Sequence, residues 1–165
     1  MNQQIELTQF LLENEKWLKN ISKTAEIIVE EKIIRIISIK GFKFESIIPR
    51  YLELNNKTLH FLGLLTGDSC SKKQTSAKFG LSNTNLRLIK EAREQLEKTF
   101  FQPISKIKMR VKFNRKLSDN LLNELAIFLN LNPNNISHVI NTTCKQINFE
   151  LFVNNRPLKR IVFNL

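Results

Sequence analysis

Cysteine, glycine, proline, tryptophan and tyrosine are all scarce in this chain of 165 residues: two, four, four, one and one, respectively. Cys70 and Cys144 are too few and too far apart for a structural zinc site, so reduced thiols in an intracellular setting are expected. No apolar run reaches the ~18 residues that span a bilayer, so no membrane partner is expected. The first residues lack the basic-then-apolar pattern of a secretory signal. No Ser/His/Asp, zinc or phosphate-loop constellation occurs, and His60 and His138 each stand apart from any other catalytic residue type. The length fits one ordinary domain with at most a small appendage, and a hydrophobic share of 42% can supply its core.

Acidic residues are the other shortage, at 15 against 26 lysines and arginines, a net charge of +11. The imbalance is local. Residues 1–60 hold nine basic and eight acidic side chains, whereas residues 61–165 hold seventeen and seven. A polyanionic partner, most often nucleic acid, fits such an asymmetry. Its densest part is Lys106-Ile107-Lys108-Met109-Arg110-Val111-Lys112-Phe113, an eight-residue alternation of basic and apolar side chains. In a strand these two sets point to opposite faces. Arg115 and Lys116 extend the basic set, and residues 101–116 contain no acid. A solvated edge strand that uses lysine against aggregation has the same look, but six uncompensated cations exceed that need. Lys78, Lys106, Lys108, Arg110, Lys112, Arg115 and Lys116 are therefore the candidate nucleic-acid contacts.

Elsewhere, Phe10, Leu11, Trp17 and Leu18 fit one face of a helix over 7–18. Residues 21–44 are dense in β-branched residues, which favours strand. Ile33-Ile34-Arg35-Ile36-Ile37 with Gly41-Phe42 also fits the second helix and exit of a helix-turn-helix, and both readings stand. Ala77–Ser82 reads as a half-buried strand. A helix follows an N-cap among Ser82, Asn83, Thr84 and Asn85, with Leu86, Ile89, Ala92, Leu96 and Phe100 along one side. A helix over 117–131 has Ser118 as N-cap and Leu121, Leu122, Leu125, Phe128 and Leu129 facing inward. Gln146–Val153 alternates as a strand, and Pro157 begins a terminal helix.

The stretch His60-Phe61-Leu62-Gly63-Leu64-Leu65-Thr66-Gly67-Asp68-Ser69 is the most informative. Each interior glycine weakens a helix by roughly 1 kcal/mol relative to alanine, so a pair four residues apart points to close contact with another helix. Asp68 falls at the negative end of the helix dipole, which repels a carboxylate; a divalent cation would relieve that repulsion.

Phe61–Ser69 resembles the signature helix of the LAGLIDADG homing-endonuclease family, with Gly63 and Leu64 identical, Leu65 conservative, Gly67 as the small seventh residue and Asp68 as the acid. Ile48–Asn55 and Phe79-Gly80-Leu81-Ser82-Asn83 also look like archaeal and intein-associated members. Thr66 and Ser69 depart from the pattern, Ser69 replacing the glycine that usually turns the chain out of the helix. The resemblance covers about residues 48–165 and leaves 1–47 as an N-terminal extension.

It implies an α+β fold of order αββαββα with a mixed antiparallel saddle sheet. It further implies Mg²⁺ held by Asp68 with the Gly67 carbonyl, and hydrolysis of DNA. Members with one signature helix form symmetric homodimers, which places Gly63, Leu64 and Gly67 in helix packing between two copies. The implied target is double-stranded DNA with a near-palindromic site. A binding protein of the same fold without cleavage, an intron-RNA maturase or a DNA-binding regulator, is the alternative. A basic scaffold protein explains the charge but not the glycines or Asp68. The Asn, Ile and Lys bias fits an AT-rich genome, archaeal or organellar.

Overall fold

The computed structural model describes residues 3–13, 25–39, 44–70 and 76–164. It is a mixed α+β structure. In chain order the elements are β1 (Gln4–Glu6), α1 (Leu7–Glu13), β2 (Ala25–Val29), β3 (Ile33–Ser38), β4 (Glu45–Pro49), β5 (Tyr51–Glu53), α2 (Asn56–Asp68) and β6 (Lys78–Asn83). Then come α3 (Leu86–Lys98), β7 (Lys108–Phe113), α4 (Asp119–Leu129), β8 (Ile136–Ile140), β9 (Asn148–Asn154) and α5 (Arg156–Val162).

The isoleucine-rich segment is an antiparallel meander, β2-β3-β4. Ile33–Ser38 is a strand, so the helix-turn-helix reading of 33–37 is overturned. β-branched side chains lose rotamer freedom against a helical turn but pack well on a pleated surface. Gly41 and Phe42 lie outside the described residues, as do Trp17 and Leu18. A boundary after residue 47 falls inside β4, and the meander is joined to the rest by shared packing. Leu7, Leu11, Ile34, Ile36 and Ile48 belong to the same buried cluster as Phe61, Phe79, Leu151 and Ile161. The backbone carbonyl of Ile47 accepts hydrogen bonds from Gln102 Nε2 at 2.9 Å and Asn155 Nδ2 at 2.8 Å. Both amides are buried, so this junction satisfies polar groups that would otherwise be stranded in the interior.

The larger sheet has the order β6-β9-β7-β8. β9 runs antiparallel to both neighbours, and β8 pairs parallel to β7 at the edge. From α2 onward the order is therefore αβαβαββα, which corrects the expected αββαββα in two places. After α2 only a single bridge, Ser69 to Leu81, stands among the described residues where a first hairpin strand was expected. Between β7 and β9 the chain inserts α4 and β8, and the parallel β7–β8 pair needs such a crossover.

One face of this sheet carries the core and packs under α2 and α3. Phe61 of α2, Phe79 of β6 and Phe100 just beyond α3 form a ring cluster with centroid separations of 5.2 to 6.3 Å. Asn55 caps α2, its side chain accepting from Thr58 N, and Asn85 caps α3 in the same way through Arg87 N. The inward face expected for α4 holds at Leu125 and Leu129 but fails at Phe128. That ring is 40% exposed, with Lys90 Nζ 4.4 Å from its centre. β9 does not show the half-buried alternation expected for it: Phe149 to Val153 are all buried. As an internal strand it has the core on one face, and on the other the long side chains of Lys78, Arg110 and Lys112 cover Glu150 and Phe152.

Gly80 of β6 lies against the backbone of β9, at φ +155°. A Cβ there would lie 2.0 Å from the carbonyl oxygen of Leu151 and 2.7 Å from Cα of Phe152. Backbone cannot yield as a side chain can, and an L-residue is strained at that φ. Gly80→Ala is accordingly expected to lower stability by roughly 3 kcal/mol, seen as a reduced urea midpoint with an unchanged m-value.

Candidate functional site

Two features meet at the four-stranded sheet: the end of α2 and the face turned away from the core. Phe61 and Leu65 are buried and fix which side of α2 faces inward. Gly63, Thr66 and Gly67 are exposed on the opposite side, with Leu59 at 49% exposure one turn before them. A Cβ built at Gly63 or Gly67 meets nothing within 4 Å. The glycines therefore do not serve close helix packing within the described residues. Leu64 is half-buried on the flank of α2, beside this ridge. It lines a surface groove with Phe61 of α2 and Glu91, Ala92 and Gln95 of α3. His60 borders the same groove with Nδ1 3.9 Å from Glu91, both side chains largely in solvent.

Asp68 ends α2 with an exposed side chain, and its Oδ2 accepts a hydrogen bond from Asn83 Nδ2 at 2.7 Å. Asn83 is the last residue of β6, so the sheet orients the carboxylate. Ser69 leaves the helix at φ −56°, ψ 132°. That is ordinary extended backbone, and the chain passes directly into its bridge with Leu81, so no glycine is needed at the exit. Gly67 lies in the last helical turn, where carbonyls have no partner further along the helix. Hard oxygen donors of this kind suit Mg²⁺, which takes one or two carboxylates and fills its octahedron with water and phosphate oxygens. Among the described residues no group of three His, Cys, Asp or Glu gathers into a metal site.

The outward face of the sheet is defined by register. Arg110 pairs with Glu150, Lys108 with Phe152 and Lys112 with Asn148 across β7–β9, while Lys78 pairs with Asn154 and Gly80 with Phe152 across β6–β9. Lys108, Arg110 and Lys112 thus lie on one face, as the alternation predicts, with Met109 and Val111 buried beneath them. Lys106 belongs to a short 3-10 turn rather than to the strand, and its Nζ is 4.0 Å from Glu45. Arg115 and Lys116 are exposed just past β7, with Arg115 5.5 Å from the ring centre of Phe113.

The residue that sequence reasoning missed is Glu150. It lies on the basic face of the central strand with its side chain only 6% exposed. Lys78 Nζ approaches Oε2 at 3.5 Å after crossing the Phe152 ring at 4.4 Å. Arg110 Nη1 is 3.8 Å from Oε2, and Lys112 Nζ bonds Oε1. The expectation that no carboxylate compensates the basic strand is therefore corrected, because Glu150 arrives from β9, and Glu45 reaches Lys106 from β4. The available signal was a single acid in Phe149-Glu150-Leu151-Phe152, since an isolated charge inside an apolar strand needs a buried partner.

Behind this cluster the amide of Cys70 donates to the carbonyl of Gly80 at 3.1 Å. Burial pushes the Cys70 thiol up from 9.0 to about 11, with the Glu150 charge adding to the rise and Lys78 and Lys159 opposing it. Lys159 is lowered from its usual value, chiefly by burial. His138 is on β8 opposite Val111, and its Nε2 is buried without a hydrogen-bond partner.

No family model, curated protein or solved structure matches this chain.

Two outcomes follow from this geometry. On the expectation of nucleic-acid contact drawn from the sequence, Lys108→Ala and Arg110→Ala should each reduce the log–log salt slope of duplex DNA binding by about one unit; an unchanged slope counts against that expectation for this strand. In a Cys144→Ser background, Cys70 should react with iodoacetamide at pH 8 about a hundredfold more slowly than an ordinary thiol, because so little of it is thiolate. The raised pKa also means that the thiol's contribution to stability is full below pH 9.0 and falls as pH rises through about 11.

Proposed function

We propose that two copies of this chain pair along the exposed ridge of α2 and act as a Mg²⁺-dependent, site-specific double-strand DNA endonuclease of the LAGLIDADG homing type. One observation carries the proposal. Among the described residues the glycine ridge is unoccupied, and the helix that bears it ends in an exposed, oriented carboxylate beside a basic sheet.

A single Asp68 is one carboxylate, and double-strand cleavage needs one set of ligands for each scissile phosphate. A second copy related by a two-fold axis supplies the other and imposes its symmetry on the DNA, hence a near-palindromic site. Asp68 and the Gly67 carbonyl would hold the ion. When bound, Mg²⁺ lowers the pKa of a water and offsets charge on the leaving oxygen. The chain's own contribution is positional. Asn83 fixes the carboxylate, and Lys108 and Arg110 neutralise backbone phosphates so that the duplex sits with its strands at the helix ends.

A second reading keeps the dimer and the basic face but not cleavage, as in an intron maturase or a DNA-binding regulator. It is favoured by the Asn83 hydrogen bond, which already occupies one oxygen of Asp68.

The protein incubated with a plasmid library and Mg²⁺ should produce metal-dependent double-strand cuts. Asp68→Asn should abolish them while leaving affinity for DNA within about twofold; binding without cutting by either protein selects the second reading. Gly63→Ala separates chain from dimer. In dilute protein it should raise helix stability by roughly 0.5–1 kcal/mol. In sedimentation equilibrium it should weaken dimerisation by about tenfold, as the added methyl separates the helices. Unaltered self-association would remove the ridge from the interface.

A further inference from the structure

Resting on the nucleic-acid reading above, we infer that Glu150 is a positioning residue that divides the cations of the sheet into two sets: Lys78 and Lys112 are held by its carboxylate, while Arg110 and Lys108 are left for phosphate.

The division follows from geometry. Glu150 offers two oxygens. Lys112 takes Oε1, and Lys78 and Arg110 approach Oε2. Lys78 and Lys112 come from opposite sides: Lys112 on β7 is set diagonally from Glu150, whereas Lys78 on β6 stands opposite Asn154 and reaches back over Phe152. Both ammonium groups lie on half-buried side chains, 23% and 28% exposed. Lys78 is further confined by the face of Phe152, a contact that favours a cation held against an aromatic ring.

Arg110 differs. It sits directly opposite Glu150, yet its nearest approach, 3.8 Å, is beyond hydrogen-bond length. Its Nε is buried without an acceptor, while its side chain is 37% exposed. A guanidinium attracted to a carboxylate but not bonded by it keeps its terminal Nη donors, though not the buried Nε, available for a fork of phosphate oxygens. Lys108 is exposed and has no carboxylate within ion-pairing distance among the described residues.

Burying one carboxylate among three cations leaves the cluster with two net positive charges, so the face still attracts a polyanion. A charge buried this deeply is tolerated only when paired, and its partners cannot turn to DNA without stranding it. Lys78 and Lys112 therefore add field but release few counterions, whereas Arg110 and Lys108 make the contacts that the salt slope counts.

The test has two readouts, one of them independent of DNA. In acetic anhydride labelling read by mass spectrometry, Lys78 and Lys112 should react several-fold more slowly than Lys108, and Glu150→Gln should remove the difference. Equal reactivity in the wild-type protein overturns the inference. On a random-sequence 30-base-pair duplex, Glu150→Gln should steepen the log–log salt slope by about 1.8 as two lysines become free to meet phosphates, and Glu150→Asp should restore the wild-type slope. An unchanged slope in a folded Glu150→Gln protein also overturns it. Lys112→Met serves where Glu150→Gln fails to fold. The slope should stay as in wild type, and a loss of about 0.9 would show that Lys112 already contacts phosphate. Failure of the wild-type protein to bind the duplex counts against the nucleic-acid reading alone, because the labelling pattern still decides the role of Glu150.

Discussion

Three phenyl rings determine how α2 sits. Phe61, Phe79 and Phe100 lie within 6.3 Å of one another, centre to centre, and tie the helix, the sheet and the end of α3 into one contact. Such a cluster contributes beyond the area it buries, because edge-to-face rings attract as well as exclude water. Its larger effect is rotational. With Phe61 and Leu65 turned inward, the helix has no choice about which residues face solvent, and Gly63 and Gly67 must point out. The same rotation brings Asp68 to the end of β6, within reach of Asn83.

The basic face of the sheet has to hold its own like charges together. Like charges on neighbouring strands repel, and burying them raises the cost. Glu150 offsets both effects by drawing charges from β6 and β7 onto β9. The same carboxylate that steadies the sheet also reduces the number of cations free to act outside it. Under the proposed nucleic-acid reading, stability and affinity are opposed at this one side chain, and net charge overstates what the face can contact.

Much of this was legible in the sequence, and the exceptions share a cause. The eight-residue alternation from Lys106 marks its two faces because a strand has only two, and the N-caps at Ser118 and Asn85 follow from local chemistry. β-branched isoleucines gave the meander away in the same manner. What failed depends on partners far along the chain. Glu150 is a surface acid until β6 and β7 close on it. β8 carries no pattern of its own and is a strand because β7 has a free edge. Phe128 has the periodicity of a core residue, and only the position of Lys90 beneath its ring shows otherwise.

The central strand of the larger sheet is also the last to be made. β9 joins β6 and β7, whose sequences precede it by some 70 and 40 residues, and neither can form its antiparallel ladder before then. During synthesis two strands with one apolar face each must wait, unzipped, while α4 and β8 emerge from the ribosome. Closure of the larger sheet thus waits on a single seven-residue strand. An interruption upstream of it would leave two sticky edges open to neighbouring nascent chains, a hazard that the finished protein no longer displays.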